Sequence, residues 1–432
     1  MKNESIDVVK CEPGLGKTEA VKRADIGGTC YLASDRYDLL DEHRGDFALF
    51  PRPDSEVANA LDPFRNELGA LVKLKMECQS NERMLKLIQD YEAECARVLN
   101  EPRIRLTTER LLSDRRLKVP ELIIVDEDPT NATLKEGQVN LNYIRNCSRL
   151  SDMDERLDRV IKNFLSCDEN KVYKREWNLS DSMDSFEMLV TVAGGTPDAR
   201  NLQQLLWCDA FLKSGNVVSF ITVRRLPATR VIILSATIEE RLCRILYGDR
   251  IRLHEFPPVK PVGTLIQDFT KSYSKTSLEQ DPAHMTAFLH LLHQKREEGY
   301  AIITHKSIAE SGFVPDAHFG AATGSNNLQG RRKYLIAGTP NIPENTLRLR
   351  AAALGLKSES IRSYTKSQRR RVEYNGFEFF YVMLSEDPDI EALQLSYVET
   401  HLIQAAGRAR YFEDECIVEV RSNFPLRGFD LR

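Results

Sequence analysis

Short runs of β-branched and aliphatic residues alternate along this chain with stretches in which apolar residues recur at helical spacing. Near-continuous apolar runs are typical of strands that helices cover on both faces, so the alternation predicts an α/β fold with parallel sheets. We predict strands at Ile6–Lys10, Thr29–Ala33, Leu122–Val125, Val231–Leu234, Ala301–Thr304, Tyr334–Ala337 and Phe377–Met383. A length of 432 residues suits two or three domains better than one.

The segment Glu255–Gly263 contains three prolines and a glycine and therefore interrupts any helix. It predicts a linker between a first domain, residues 1–255, and a second domain, residues 256–432. Residues 55–100 and 131–225 exceed what such a sheet needs and contain stretches with helical spacing, such as Asp152–Leu165 and Leu202–Lys213. We expect them to be helical insertions in the first domain.

The first predicted strand runs into Cys11-Glu-Pro-Gly-Leu-Gly-Lys-Thr18, which is followed by the helical Glu19–Arg23. Glycines at this position let backbone N–H groups face a phosphate, while the lysine reaches the β- and γ-phosphates and the threonine hydroxyl binds Mg²⁺. The pattern predicts a site for ATP and Mg²⁺. Its binding residues are Pro13, Gly14, Leu15, Gly16, Lys17, Thr18 and Glu19.

The strand Leu122–Val125 ends in Asp126, Glu127 and Asp128. In a parallel sheet the carboxyl ends of the strands share one edge, so these carboxylates are expected beside the phosphate loop. Asp126 is then placed to hold the Mg²⁺ shell, and Glu127 to accept a proton from the attacking water.

The order of these two motifs, followed by Ser235-Ala236-Thr237 after the strand Val231–Leu234, resembles motifs I, II and III of superfamily 2 helicases. The second half of the chain continues the order. Ile302–Lys306, with His305 and Lys306, resembles motif IV; the loop His318–Asn326, with Gly324, Ser325 and Asn326, resembles motif V; and Gln404–Arg410 resembles motif VI. The Gly-Ser-Asn sequence of this loop resembles the corresponding loop of helicase-like proteins of phages and mobile elements.

This resemblance implies two RecA-like domains in tandem, with ATP hydrolysed in the cleft between them. Motif VI, which includes Gln404, implies that Arg408 reaches the γ-phosphate from the second domain. The family's second arginine falls where this chain has Tyr411, and Arg410 lies one residue earlier. Ser235–Thr237 would couple the nucleotide to the grip on nucleic acid, and Thr107 and Thr108 resemble the motif that contacts the sugar–phosphate backbone.

Composition narrows the alternatives. The net charge of −4 excludes a uniformly basic surface, so nucleic acid is expected in a local groove. The nine cysteines lack the spacing of a zinc site, and no apolar run reaches 18 residues. We expect a cytoplasmic protein without a membrane segment.

DNA is favoured over RNA as the partner because the Q motif of the DEAD-box branch is missing. A protein partner could bind through the insertions. Two alternatives remain open: an ATP-driven DNA translocase or packaging ATPase that does not separate strands, and a nucleotide-gated binding module with weak hydrolysis. The shifted second arginine favours the latter.

Overall fold

The computed structural model describes residues 5–12, 16–24, 26–35, 40, 47–61, 74–76, 78–114, 116–149, 155–177, 197–320, 328, 330–367 and 369–432. The strands are β1 (Ile6–Lys10), β2 (Cys30–Ser34), β3 (Ala48–Leu49), β4 (Arg103–Thr107), β5 (Leu122–Asp126), β6 (Leu134–Asn140), β7 (Val172–Lys174), β8 (Ala210–Ser214), β9 (Val217–Val223), β10 (Arg230–Ser235), β11 (Ile251–Glu255), β12 (Thr264–Asp268), β13 (Ala301–Thr304), β14 (Ala317–His318), β15 (Lys333–Ala337), β16 (Arg369–Tyr374), β17 (Phe377–Val382), β18 (Ile417–Arg421) and β19 (Asp430–Leu431).

The helices are α1 (Lys17–Arg23), α2 (Ser55–Leu61), α3 (Glu82–Val98), α4 (Thr108–Ser113), α5 (Thr130–Thr133), α6 (Leu141–Cys147), α7 (Glu155–Ser166), α8 (Pro197–Leu206), α9 (Glu240–Tyr247), α10 (Lys275–Gln280), α11 (Pro282–Glu297), α12 (Glu344–Ala353) and α13 (Pro388–Gly407). Short 3-10 helices lie at Gly248–Arg250, Lys306–Ser311, Ser358–Ser360 and Tyr364–Lys366. Within the described residues, no helix is long and apolar enough to cross a membrane.

The first unit is built on a seven-stranded sheet with the order β11-β1-β10-β5-β2-β4-β3, in which every pairing is parallel. A parallel sheet needs cover on both faces, and α2 and α3 supply part of it. Val57, Ile88 and Val98 from these helices join the core formed by the sheet. The helices expected within 55–100 are therefore part of the layer that covers the first sheet.

The second unit is built on a six-stranded sheet with the order β14-β13-β15-β18-β12-β19, again parallel throughout. Helix α13 packs its apolar residues against this sheet through Leu395, Val398 and Leu402. Two parallel α/β sheets follow one another along the chain, which confirms the fold class expected from the sequence: two RecA-like domains in tandem.

An antiparallel sheet between the two units corrects one expectation. Residues 131–225 contain the helices α6, α7 and α8, but also a four-stranded sheet with the order β6-β9-β8-β7. The helix predicted over Leu202–Lys213 is wrong beyond Leu206, where the chain enters strand β8. The reason is the turn at Gly215, whose φ of 58° joins β8 to β9 through two residues, as in a tight hairpin.

The strand predicted over Phe377–Met383 also needs a correction. It forms at 377–382 but pairs antiparallel with β16 in a separate hairpin and joins neither parallel sheet. The connecting residues Asn375 and Gly376 both have positive φ, 52° and 82°. An Asn-Gly pair in this conformation is typical of a two-residue hairpin turn.

Among the described residues, the two units contact each other along α9 and along the antiparallel sheet. Helix α9 of the first unit lies against α13 of the second, where Arg241 forms an ion pair with Asp389. Helix α12 of the second unit packs on β7, β8 and β9 of the antiparallel sheet. The antiparallel sheet is therefore inserted in sequence between strands β5 and β10 of the first unit, and it contacts the second unit.

Candidate nucleotide site at the carboxyl edge of the first sheet

The phosphate loop connects β1 to α1. Gly16 precedes the helix with a φ of 73°, a left-handed conformation that suits a residue without a Cβ. The Lys17 ammonium donates hydrogen bonds to the carbonyl oxygens of Cys11, at 3.2 Å, and Glu12, at 2.8 Å. Lys17 is thus folded over the first residues of the loop. Pro13, Gly14, Leu15 and the Thr18 side chain lie outside the described residues, whereas Glu19 is exposed on the first turn of α1.

Several charged groups act on Cys11 and Glu12, the first two residues of this loop. Burial raises the pKa of the Glu12 carboxyl, and the positive charges of Lys17, Arg427 and Lys10 act against that rise. Burial likewise raises the pKa of the Cys11 thiol, on which the charges of Lys17 and Asp126 also act. The charges of Lys17 and Asp126 thus both act on the Cys11 thiol at the start of the loop.

The acidic strand ends beside the loop. Asp126, the last residue of β5, is 8% exposed and lies in register with Leu234 on one side and Ser34 on the other. The backbone N–H of Glu127 donates to the carbonyl oxygen of Leu234 at 2.9 Å. The φ of Glu127 is +117°, a strained value for a residue with a side chain. Strain of this kind persists only where the surroundings enforce it.

The residues after Glu127 are fixed by their own hydrogen bonds. Burial raises the pKa of the Asp128 carboxyl, which accepts hydrogen bonds from the Thr130 hydroxyl at 2.6 Å and the Thr130 backbone N–H at 2.9 Å. This turn leads directly into α5. The carboxylates of Asp126 and Glu127 are thus held between a sheet strand and a tightly bonded turn.

The Ser-Ala-Thr segment lies between the loop and the acidic strand. Strand β10 separates β1 from β5, and the Ser235 carbonyl oxygen accepts a hydrogen bond from the Cys11 N–H at 3.1 Å. Ser235 and Thr237 are buried, and the Thr237 N–H donates to the Ser235 hydroxyl at 3.2 Å, while Ala236 is half-buried. This segment is therefore bonded directly to the phosphate loop.

Strand β4 places the candidate backbone-contact residues on the same edge. Thr107 caps α4, its hydroxyl accepting a hydrogen bond from the Arg110 N–H at 3.2 Å. Thr108 is buried, and its hydroxyl has no hydrogen-bond partner among the described residues, as is also true of Ser34 at the end of β2. Buried hydroxyls without partners are uncommon and call for an explanation.

The candidate residues of the second unit lie on separate elements. His305 follows β13; burial lowers the pKa of its imidazole, which bonds the Tyr273 carbonyl oxygen at 2.8 Å, while Lys306 is exposed. Gly324, Ser325 and Asn326 lie outside the described residues. Gln404 and Arg408 are half-buried near the end of α13. Arg410 has a φ of +47° and a side chain that is 45% exposed and 3.8 Å from Glu413.

The structure also shows two charged residues of the second unit whose charges interact with the phosphate loop or with Lys10 before it, and the sequence patterns did not indicate them. Burial raises the pKa of Glu12 in the phosphate loop and of Glu399 on α13, and the charge of Arg427, in the loop after β18, acts against both rises. Glu399 is buried and accepts a hydrogen bond from the Tyr374 hydroxyl at 2.8 Å. A lone arginine before a glycine after the last core strand was the only signal for Arg427, and such a signal is weak.

The carboxylates fit a magnesium ion of the kind that nucleotides bring. Among the described residues, no three Asp, Glu, His or Cys side chains converge as a metal-binding group. Mg²⁺ in nucleotide sites is usually held by one or two carboxylates together with phosphate oxygens and water. Asp126, at the strand end beside the loop, can supply one of them.

No family model matches the chain, and no curated protein matches it. Among solved structures, the chain is similar to Xpd4 from S. tokodaii, with a TM-score of 0.47 and 11% identity over 99% of this chain and 96% of that chain. A likeness at this level does not identify a family. The function is therefore inferred from the site itself.

Proposed function

We propose that this chain is a nucleic-acid motor of the superfamily 2 helicase type that hydrolyses ATP between its two parallel-sheet units. The observation that carries this proposal is that the motif residues lie together at the carboxyl ends of three adjacent strands. Strands β1, β10 and β5 bring Lys17, Ser235 and the pair Asp126 and Glu127 to one edge of one sheet. Each motif alone is a short pattern, but together they form the parts of a phosphoryl-transfer site.

Each residue has a defined role in this proposal. Lys17 turns from the loop carbonyls to the β- and γ-phosphates, and Asp126 holds the magnesium shell. A magnesium ion held by Asp126 would supply positive charge against the charge that develops on the transferring phosphoryl group. Glu127 orients the attacking water and accepts its proton. Ser235, bonded to the loop through Cys11, transmits the state of the site along β10.

The second unit completes the site in this proposal. We divide the chain into an ATP-binding domain, residues 1–255, and a second domain, residues 256–432. Arg408 would place its guanidinium on the γ-phosphate when the cleft closes. Opening and closing would then shift a nucleic acid laid across both domains. The nucleic acid is proposed to be DNA, gripped mainly through its phosphates and stacked bases.

One observation favours a second candidate, the nucleotide-gated binding module with weak hydrolysis. The side chain of Arg410 points toward Glu413 and is half-exposed, so a second arginine at the phosphate is not provided from this position. The translocase without strand separation shares the same ATP site. It differs only in that the free energy of ATP hydrolysis drives movement along DNA without separating the strands.

The experiment that tests the proposal is a steady-state ATPase assay with no nucleic acid, with single-stranded DNA and with single-stranded RNA. We expect hydrolysis that DNA stimulates and that Lys17→Ala abolishes without unfolding the chain. Strand separation is then measured on a partial duplex. Stimulated hydrolysis without separation supports the translocase, and tight nucleotide binding with little turnover supports the binding module. Wild-type turnover in Lys17→Ala would refute the phosphate-loop assignment.

A further inference from the structure

A buried arginine of the second unit contacts the loop that follows the acidic pair. Arg350 lies on α12 and is 6% exposed. Its Nε and Nη2 atoms donate to Oε1 of Glu136 at 2.9 Å and 2.7 Å, and Nη2 donates to Oδ1 of Asn131 at 3.1 Å. The guanidinium also lies 5.5 Å from the centre of the Tyr397 ring on α13. Arg350 therefore joins the two units at a defined geometry.

The position of its partners gives this contact its meaning. Asn131 lies on α5, four residues after Glu127, and Glu136 lies on β6, the next element. The intervening Asp128 is hydrogen-bonded to Thr130, so the short segment between the acidic pair and the residues that Arg350 holds has little conformational freedom.

Stability alone does not account for an arginine in this place. Burying a guanidinium is costly, and its partner Glu136 keeps a side chain that is 40% exposed and already solvated. An apolar residue would satisfy the packing, since Leu349 and Ala352 of α12 already contact Leu134 and Leu212 of the antiparallel sheet. What a guanidinium adds is a fixed, planar set of donors that specifies one register between two surfaces.

The strained backbone of Glu127 indicates what that register controls. A φ of +117° is maintained only if the residues on either side are held. On one side, β5 is held by its pairing with β10. On the other side, the turn and α5 are held in part by Arg350.

We propose that Arg350 is a positioning residue that sets the geometry of the acidic pair from the second unit. When α12 is docked, Arg350 fixes Asn131 and Glu136, and Glu127 takes the orientation needed for hydrolysis. When α12 separates, that orientation relaxes. The second unit thus acts on the site from the side of the antiparallel sheet as well as across the cleft. This inference rests on the proposed ATP hydrolysis.

The test compares Arg350→Met with Arg350→Lys in the full-length chain. Because Arg350 acts through Glu127 and not on the nucleotide, Arg350→Met should lower the DNA-stimulated kcat about 10- to 100-fold, as loss of an outer-shell partner does. The KM for ATP should stay within about a factor of two, since ground-state binding is unchanged. Arg350→Lys should recover part of the loss, because it keeps the charge without the fork.

The chain offers a matched control on the same helix. Arg348 donates to Glu344 and to the Ile361 carbonyl oxygen, both within the second unit. Arg348→Met should leave kcat at the wild-type value. A cycle with Glu136→Gln should be non-additive with Arg350→Met, because the two side chains form one interaction. Wild-type kcat in Arg350→Met, or an equal loss in Arg348→Met, would overturn the inference.

A second measurement separates this inference from the proposed function. Backbone amide hydrogen exchange over residues 126–133 should be faster in Arg350→Met than in wild type without any nucleotide. If wild type hydrolyses no ATP, the proposed function fails, and unchanged exchange would then refute the role of Arg350 separately. If Arg350→Met does not fold, Arg350→Lys and Glu136→Gln carry the same comparisons.

Discussion

The backbone of Glu127 offers a sharp test of whether this edge of the sheet is a catalytic site. Replacing Glu127 by glycine should stabilise the chain relative to Glu127→Gln, while both variants lose hydrolysis. Each substitution removes the carboxylate and its charge. Only glycine relieves the φ of +117°. The difference between the two variants therefore isolates the cost of the strained backbone.

The size of the effect follows from two opposing contributions. A non-glycine residue in a sparsely populated backbone region costs about 1–3 kcal/mol. Glycine itself lowers the free energy of unfolding by roughly 0.5–1 kcal/mol, because it has more conformational freedom in the unfolded chain. A net gain of about 1 kcal/mol is expected, which raises Tm by about 2–4 °C for a folding unit of about 150–250 residues.

The assay is thermal and urea unfolding of both variants at one pH, with ATPase rates measured on the same samples. Circular dichroism should show the same folded spectrum for both. Such a pair separates stability from activity, as expected where a strained residue serves function. Equal or lower stability of Glu127→Gly would refute the claim that strain is stored at this residue.

Three further outcomes follow from the geometry. Asp126→Asn should weaken Mg²⁺-dependent nucleotide binding, measured by titration with and without the metal, whereas binding in Glu127→Gln should persist. Arg427→Ala should lower turnover, because its charge acts on Glu12 of the phosphate loop, whereas Arg410→Ala should stay near wild type; the reverse order in an ATPase assay would contradict this assignment. Gly137→Ala should cost about 1–3 kcal/mol in urea unfolding, since a methyl group there overlaps the Phe220 ring.

The sequence predicts the parallel sheets well because their central strands carry apolar residues on both faces. Ile6–Lys10 and Ala301–Thr304 form as predicted, and four other strands shift by at most one residue at an end. Strand β18 departs from this pattern because a charged residue lies at its centre. Glu419 lies buried within β18, where Lys295 donates to its carboxylate at 2.7 Å. An ion pair between distant residues leaves no local signal, so β18 could not be predicted.

The antiparallel sheet escaped prediction for a different reason. Strand β6 has a run of polar residues and a glycine at its centre, β7 has three residues, and the helical run that ends at Leu206 passes into β8 after three residues. The site shows the same limit. Lys17, Asp126 and Ser235 lie in local motifs, whereas Arg350 and Arg427 matter only because the fold brings them to distant partners. Contacts of this kind are set by tertiary packing, not by spacing.

The place where the antiparallel sheet enters the chain shows where the contact of α12 reaches the first sheet. The chain leaves the first sheet just after Glu127 and returns at β10, which ends in Ser235, and β5 and β10 are neighbours in register. The entering strand β6 pairs with the departing strand β9, and the Arg224 N–H donates to the Thr133 carbonyl oxygen at 2.8 Å. In the proposed role of Arg350, a displacement of α12 on this sheet reaches the first sheet through the segment after Glu127, at the carboxyl end of β5, and through the start of β10, at the opposite edge from Ser235. The acidic pair is therefore the part of the site on which this docking contact would act directly, whereas Ser235 lies at the far end of β10.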